Sequence, residues 1–368
     1  MKLTIRTLLL QEMVSKAIKG ASNNKMIPLT GLMAMEFLDG VLIITTTDGT
    51  NTLKVKSDAQ IEGEPFYAVV HAEIFSRLVS RLTTDAVIME PGSNGLSVKA
   101  NGSYLLELPL NDDGTPIRFP KQKFNEETEV FKVSMASIKT VLSANRASRA
   151  QTLDVPCLTG YYFNDTVITT DSYRVCSNDL KLFQSPVLLP AELVDLLDII
   201  TEDSVSIQVS DHRVRFTTKQ ITILGSELEG IEEFPVEPVK QYIQTEFEHR
   251  CKLPTNSLLN LLGRLSLFID AYDRNGVYLT FIEEGVLIKS RKSNGTELIK
   301  YLETDNFAPF TCAIDIELFQ SQIAGLASET VELWYGIDKA IKMTAGKITA
   351  IGALLEDDGL AADGQPQS

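Results

Sequence analysis

The sequence predicts an α+β fold made of three repeated domains, each of two β-α-β-β-β modules with antiparallel strands. Two observations carry this. A block of Gly, strand, acidic turn, strand and polar turn occurs three times: GLMAMEFLDGVLIITTTDGTNTL at 31–53, LTGYYFNDTVITTDSYRVCSNDL at 158–180, and GVYLTFIEEGVLIKSRKSNGTEL at 276–298. The period, roughly 120 residues, is too long for a solenoid and suits successive copies of one domain. A second set of segments, HAEIFSRLVSRL, PAELVDLLDII and DIELFQSQIAGL, follows the blocks at equivalent places, and each leads into a short strand meander. Each of these helices has one apolar face to bury, which predicts helices on one side and antiparallel sheets on the other.

The elements follow from local pattern. After a strand at Lys2–Ile5, Leu10, Met13, Val14, Ala17 and Ile18 form the stripe of an amphipathic helix that Gly20 ends. Ala72–Leu82 reads as a helix with Ile74, Phe75, Leu78 and Leu82 inward. Strands follow at Ala86–Glu90, Leu96–Lys99 and Tyr104–Leu108, separated by the turn sequences PGSNG and ANGS. Polar, Pro-containing residues 111–129 read as a first linker. The second repeat has a strand at Val130–Val133, helices at Ser134–Arg149 and Ala191–Ile200, and strands at Val205–Val209, Val214–Thr217 and Ile221–Leu224. EGIEEFPVEPVKQYIQTE reads as the second linker. In the third repeat, helices are predicted at Thr255–Ile269 and Asp315–Leu326, with strands at Val331–Trp334, Lys339–Thr344 and Lys347–Leu354. The predicted domains are 1–120, 128–240 and 247–355, and residues 356–368, acidic and rich in small residues, are expected to be disordered.

Composition excludes several classes. At 368 residues and 44% hydrophobic content the chain can fill several cores, and no apolar run reaches membrane-spanning length. The N-terminus lacks a small-residue cleavage site, so a cytoplasmic location is expected. Cys157, Cys176, Cys251 and Cys312 lie far apart without a CxxC pair, as expected of reduced structural thiols. Asp48, Asp171 and Asp112-Asp113 fall in ordinary turn sequences, and His71, His212 and His249 have no nucleophile motif around them. No metal, cofactor or catalytic residue is therefore predicted. A net charge of −15 argues against a generally basic nucleic-acid binder, although the distribution of charge decides that question.

The ordered elements, the threefold repeat, TDSYRV and FPVEP together resemble the bacterial β sliding clamp, the processivity subunit of DNA polymerase III, over roughly residues 1–355. The resemblance implies a homodimeric, head-to-tail ring lined by helices, with sheets outside. Such a ring encircles double-stranded DNA without sequence preference, performs no chemistry, and holds a DNA polymerase and a clamp loader through short peptide motifs. It further implies a peptide pocket from Leu158, Thr170, Ser172, Tyr173, Arg174 and Val175, with Pro235, Val239 and Lys240 from the second linker and Thr349 to Ile351 from the last strand. Two departures stand out. Ser172-Tyr173 replaces the usual Gly-His, and Ile351-Gly352-Ala353 with an acidic tail replaces the Met-Pro-Met ending, as in a divergent, phage-like member.

On this resemblance Lys16, Lys19, Lys25, Arg77, Arg81, Lys139, Arg146, Arg149 and Arg264 would face DNA. From the residues alone, these are equally solvated helix faces, and the 191–200 helix opposes the pattern with Glu192, Asp195 and Asp198. The subunit contact would join the strand of Tyr104 and Leu106 to an edge in the third domain near Phe268 and Ile269. Two competing expectations are a clamp-like regulator that competes for clamp partners without encircling DNA, and a nucleic-acid or sugar enzyme suggested only by the scattered acidic turns.

Overall fold

A computed structural model describes residues 2–57, 61–92, 95–269, 276–291 and 294–356. The first repeat comprises β1 (Leu3–Arg6), α1 (Thr7–Ala17), β2 (Leu32–Leu38), β3 (Val41–Thr47), β4 (Thr52–Lys56), β5 (Glu62–Gly63), β6 (Phe66–His71), α2 (Ala72–Val79), β7 (Ala86–Gly92), β8 (Gly95–Lys99) and β9 (Ser103–Leu106). The second comprises β10 (Phe131–Ser134), α3 (Met135–Arg146), β11 (Tyr161–Phe163), β12 (Val167–Thr170), β13 (Arg174–Asn178), β14 (Val187–Leu189), α4 (Ala191–Asp195), β15 (Ser204–Ser210), β16 (Arg213–Thr217) and β17 (Ile221–Ser226). After α5 (Val236–Ile243), the third comprises β18 (His249–Pro254), α6 (Thr255–Leu265), β19 (Gly276–Ile282), β20 (Gly285–Ser290), β21 (Thr296–Lys300), β22 (Glu303–Asp305), β23 (Phe310–Asp315), α7 (Ile316–Gly325), β24 (Thr330–Ile337), β25 (Ala340–Ala345) and β26 (Ile348–Ala353). Setting aside the short β5 and β22, the order strand, helix, four strands, helix, three strands occurs three times.

The chain forms two compact units, Met1–Ile138 with Pro190–Glu227, and Lys139–Leu189 with Leu228–Ser368. Unit 1 holds a five-stranded sheet, β5-β1-β7-β8-β9, and an eight-stranded sheet, β10-β15-β16-β17-β4-β3-β2-β6. The hairpin β2–β3 turns at Asp39-Gly40 and β15–β16 turns at Asp211-His212, all four residues having positive φ, the combination whose twist matches the flanking strands. α1 buries Leu10, Met13, Val14 and Ala17 and packs on β3 and β4. Strands alternate as a half-buried sheet requires: in β3, Leu42, Ile44 and Thr46 are buried and the intervening residues are not.

Unit 2 holds a nine-stranded sheet, β14-β11-β12-β13-β26-β25-β24-β18-β22, and a four-stranded sheet, β21-β20-β19-β23. Its core includes Leu253, Leu258 and Leu262 from β18 and α6, Leu279 and Phe281 from β19, Phe319 from α7 and Leu333 from β24. Asp315 caps α7, its Oδ1 accepting from the Leu318 N–H at 3.0 Å.

Several predicted elements are corrected. α2 ends at Val79, short of the predicted Leu82; its buried stripe is Ala72, Phe75 and Val79, Leu82 is buried just beyond it, and Ile74 is 58% exposed. The adjacent pair Ile74-Phe75 offers two stripes, and packing on β2 and β6 selects the one containing Phe75. The helices predicted to reach Ile200 and Ile269 instead finish as 3-10 turns, Leu196–Ile199 and Ser266–Phe268, which tighten the last turn where carbonyls lack α-helical partners. α3 ends at Arg146, not Arg149. Leu158 lies in a 3-10 turn, Pro156–Thr159, and not in a strand. The second linker contains α5, because Pro238 falls in its first turn, where a missing N–H costs no helical hydrogen bond. The predicted linker at 111–129 has no helix or named strand. Apart from Glu356, the acidic tail lies outside the described residues.

All four cysteines are free and buried. Burial pushes the thiols of Cys176, Cys251 and Cys312 up to about 12, and raises that of Cys157 as well. Native protein at neutral pH is expected to leave all four unlabelled by a maleimide, and denaturant to expose all four. Rapid labelling of the folded chain, read by mass, would contradict this packing.

Candidate functional site

The stretch Thr170–Arg174 is a tight turn held by one carboxylate. Asp171 Oδ1 accepts from the N–H groups of Tyr173 (3.0 Å) and Arg174 (2.6 Å), and Oδ2 accepts from Arg174 Nε at 2.8 Å. Thr170 Oγ1 accepts from the Ser172 N–H at 3.2 Å. The first repeat builds the same turn at Thr47–Asn51, where Asp48 Oδ1 accepts from Thr50 and Asn51 N–H, and Thr47 Oγ1 accepts from Gly49 N–H. Both aspartates are thus turn-formers. Gly49 has φ 104°, and its counterpart Ser172 carries a side chain at φ 76°.

Arg174 is 8% exposed, ion-paired to Asp171, and donates through Nη1 to Ser321 Oγ on α7 at 3.2 Å. β13 pairs with β26 in the register Arg174↔Gly352, Val175↔Ile351 and Ser177↔Thr349. Gln322 of α7, 2% exposed, donates through Nε2 to Ser148 Oγ (3.0 Å) and the Ile351 carbonyl (3.2 Å), tying helix to sheet.

The structure brings some predicted pocket residues together. Leu158, Val175 and Val239 share an apolar cluster with Tyr162 and Phe234, whose rings stack at 5.1 Å. Ile351 belongs to a second cluster with Phe247 and Ala340, and Tyr242 and Ile243 of α5 touch both clusters. Pro235 and Lys240 are half-buried, and Lys240 pairs loosely with Glu237 at 3.6 Å. Thr349 is half-buried on β26, opposite Ser177. Tyr173 is 69% exposed and borders a crevice of about 20 Å³ walled by Arg174, Leu318, Phe319, Ile341 and Gly352. The α7 residues were missed by sequence reasoning; their helix was legible, but its place beside β13 depends on strand pairing with a segment far along the chain.

The predicted DNA-facing cations divide. Lys19, Lys25, Arg81 and Lys139 are exposed. Lys25 lies at the rim of a cavity of about 580 Å³ that His71, Glu73 and Ile74 also line. Lys16 is instead held by Glu12 at 2.8 Å with its side chain only 12% exposed, Arg77 by Glu73 at 2.6 Å, and Arg264 by both carboxylate oxygens of Glu297. Arg146 and Arg149 are half-buried.

Among the described residues, two of the sheet edges are open and apolar. β9 pairs only with β8, and along it Tyr104 and Leu106 are half-buried while Leu105 is 61% exposed. β21 pairs only with β20 and exposes Leu298 (43%). In the turn that ends α6, Leu267 is 81% and Phe268 51% exposed, whereas Ile269 packs partly against the core. Leu105, Leu267 and Leu298 were not among the predicted contact residues; for Leu105 and Leu298 the alternation within their strands was the signal.

A family model for the DNA polymerase III beta subunit, N-terminal domain, matches residues 1–114. A sequence comparison with curated proteins finds no match. Solved structures align along nearly the whole chain. The sliding clamp of Bacillus subtilis is 18% identical, with TM-score 0.83 over 97% of this chain and 99% of its own. The chain has the sliding-clamp fold. The beta subunit of Streptococcus pyogenes DNA polymerase gives 16% identity and TM-score 0.84 over 97% of this chain and 100% of its own. The Thermotoga maritima DNA polymerase III beta subunit gives 17% and 0.80 over 96% and 99%.

Within this turn Ser172 is the strained position, because a Cβ in the left-handed region crowds the backbone. Ser172→Gly is expected to stabilise the chain by roughly 0.5–1 kcal/mol, net of the extra flexibility of glycine in the unfolded state. Chemical denaturation measures this, and a loss of stability would show that the serine hydroxyl matters more than the strain.

Proposed function

We propose that this chain is a DNA sliding clamp. Two copies join head to tail, close around duplex DNA, and hold a polymerase on its template by topology and not by chemistry. The observation that carries this is the match in fold along the full length of clamp structures. A clamp-like regulator is not favoured by a chain that retains every part of that fold. In this proposal the three repeats, 1–120, 128–240 and 247–355, are the domains of one half-ring, and the protein works in the cytoplasm. Among the described residues no helix is long and apolar enough to cross a membrane.

The open edges supply the subunit contact. We assign it to antiparallel pairing of β9 of one copy with β21 of the other, since unpaired edge amides and exposed leucines recruit a further strand, and two identical heterologous contacts close a ring. Light scattering should find about twice 40.7 kDa. Leu105→Glu with Leu298→Glu should weaken the dimer by at least about a hundredfold, roughly 3 kcal/mol. These positions test the contact more cleanly than Ile269, whose side chain also packs on the core. The wild type, once loaded, should stay on closed circular DNA and leave when it is cut. An unaltered dimer in the double variant would overturn the interface, and equal release from circular and linear DNA would overturn the clamp.

For DNA contact we assign the exposed Lys19, Lys25, Arg81 and Lys139, and discount Lys16, Arg77 and Arg264 because their own carboxylates occupy them. Replacing all four by Ala should flatten the salt dependence of DNA affinity by up to about 3 to 4 in log–log slope, near 0.9 per lost phosphate contact. An unchanged slope, with a lowered slope in Arg264→Ala, would reverse the assignment. The partner site in this proposal is the turn at Ser172-Tyr173 with the flanking β26 and α7, where an exposed aromatic beside an apolar crevice suits a short hydrophobic peptide of a polymerase or loader.

A further inference from the structure

One row of side chains crosses the nine-stranded sheet of unit 2. Arg250 of β18, Trp334 of β24, Lys342 of β25, Ile351 of β26 and Val175 of β13 lie each directly opposite the next, and so project to the same face. Ile351 and Val175 belong to the two apolar clusters that Tyr242 and Ile243 of α5 both touch. Lys342 is therefore the place on the row where a charged stretch meets an apolar one.

The cations of the charged stretch have acids of their own. Arg250 pairs with Glu332 at 2.9 Å and with Asp305, and Lys252, on the same face, pairs with Glu303 at 3.6 Å. Lys342 differs. Its Nζ donates to the carbonyls of Ile243 (3.3 Å) and Thr245 (3.4 Å), at and just beyond the end of α5, and lies 5.3 Å from the Phe247 ring centre and 5.9 Å from that of Trp334. Both hydrogen bonds are longer than the usual range, and an ammonium has three donors, so one is left over. Among the described residues no carboxylate lies within ion-pair distance of it. A cation at a helix end needs no counter-charge while water surrounds it, but Lys342 is half-buried between two rings. That burial lowers its pKa below the ordinary lysine value, with no opposing charge to restore it.

We infer that Lys342 is a recognition point for a carboxylate, an Asp or Glu side chain carried on an apolar segment of a partner protein. The half-buried Trp334, Ile337 and Tyr242 supply apolar surface for such a segment. The incoming carboxylate takes the unused donor and neutralises a poorly solvated charge, whereas a Lys or Arg at the same place is repelled. The inference rests on the clamp reading, in which short partner segments are held, and adds a charge to what such a segment must carry.

Trp334 is the chain's single tryptophan, so its fluorescence reports occupancy beside Lys342. The full chain is titrated with two probes, acetyl-Leu-Asp-Leu-Phe-amide and its Asn twin, which differ only in the charge. Wild type is expected to bind the Asp peptide about tenfold tighter, the scale of one charge-assisted hydrogen bond. Lys342→Arg should keep that preference. Lys342→Met should lose it while binding the Asn peptide as wild type does, which also shows that the site is still folded. Equal affinities in wild type, or a preference that survives Lys342→Met, would overturn the assignment. Equal loss of both peptides in Lys342→Met would overturn it too, by making Lys342 a support for α5 alone. Binding of neither peptide to wild type would count against the partner reading itself and remove this site with it.

Discussion

Strand pairing between segments far apart in the chain is the constraint on which the other features depend. β4 takes β17 as its neighbour, and β13 takes β26. Neither pairing is local, so each must overcome a large loop-closure entropy before its hydrogen bonds count. What offsets that cost is burial: α1 packs on β3 and β4, and Gln322 of α7 bonds the Ile351 carbonyl at the β13–β26 pair. Packing is close beside the β4–β17 pair, where a Cβ on Gly225 would strike Asn51 and Leu193. The turn at Ser172-Tyr173 leads directly into β13, so Asp171 fixes its shape while the β13–β26 pairing fixes what lies beside it.

Repetition of one turn with different substituents shows how a symmetric frame acquires a specific surface. Asp48 and Asp171 do the same backbone work, and Thr47 and Thr170 support them alike. The difference lies at the next residues. Gly49-Thr50 relaxes the turn in the first repeat, whereas Ser172 accepts strain and Tyr173 projects into solvent. The two copies therefore differ in what the turn presents, a glycine without a side chain in one and an exposed aromatic beside a strained serine in the other.

Much of this was legible in sequence, for reasons that also mark the limits. The three copies of the hairpin block, the helical stripe of α1, and the turn residues are local signals, and they located nearly every element. Ile74 was misplaced because an eight-residue helix with two adjacent apolar residues has two acceptable stripes. α5 was hidden by Pro235 and Pro238, which break helices in the middle but not in the first turn. Leu158, Val175 and Val239, expected together on the family resemblance, do share one apolar cluster, but Leu318, Phe319 and Gln322 beside the turn were not foreseen. Their contribution depends on which strands meet across the sheet, and no local pattern records that.

The proposed clamp function requires an acidic chain to hold a polyanion. A net charge of −15 repels a polyanion at long range, and several basic side chains are consumed by Glu12, Glu73 and Glu297 on or beside their own helices. On the proposed reading, Lys19, Lys25, Arg81 and Lys139 remain exposed for phosphate contacts. A clamp that moves along DNA would be served by weak contacts, because every contact that strengthens holding also deepens the wells it must leave while sliding. Retention then has to come from the covalent and strand-paired continuity of the chain itself, and the open edges at β9 and β21 are where that continuity would pass from one copy to the next.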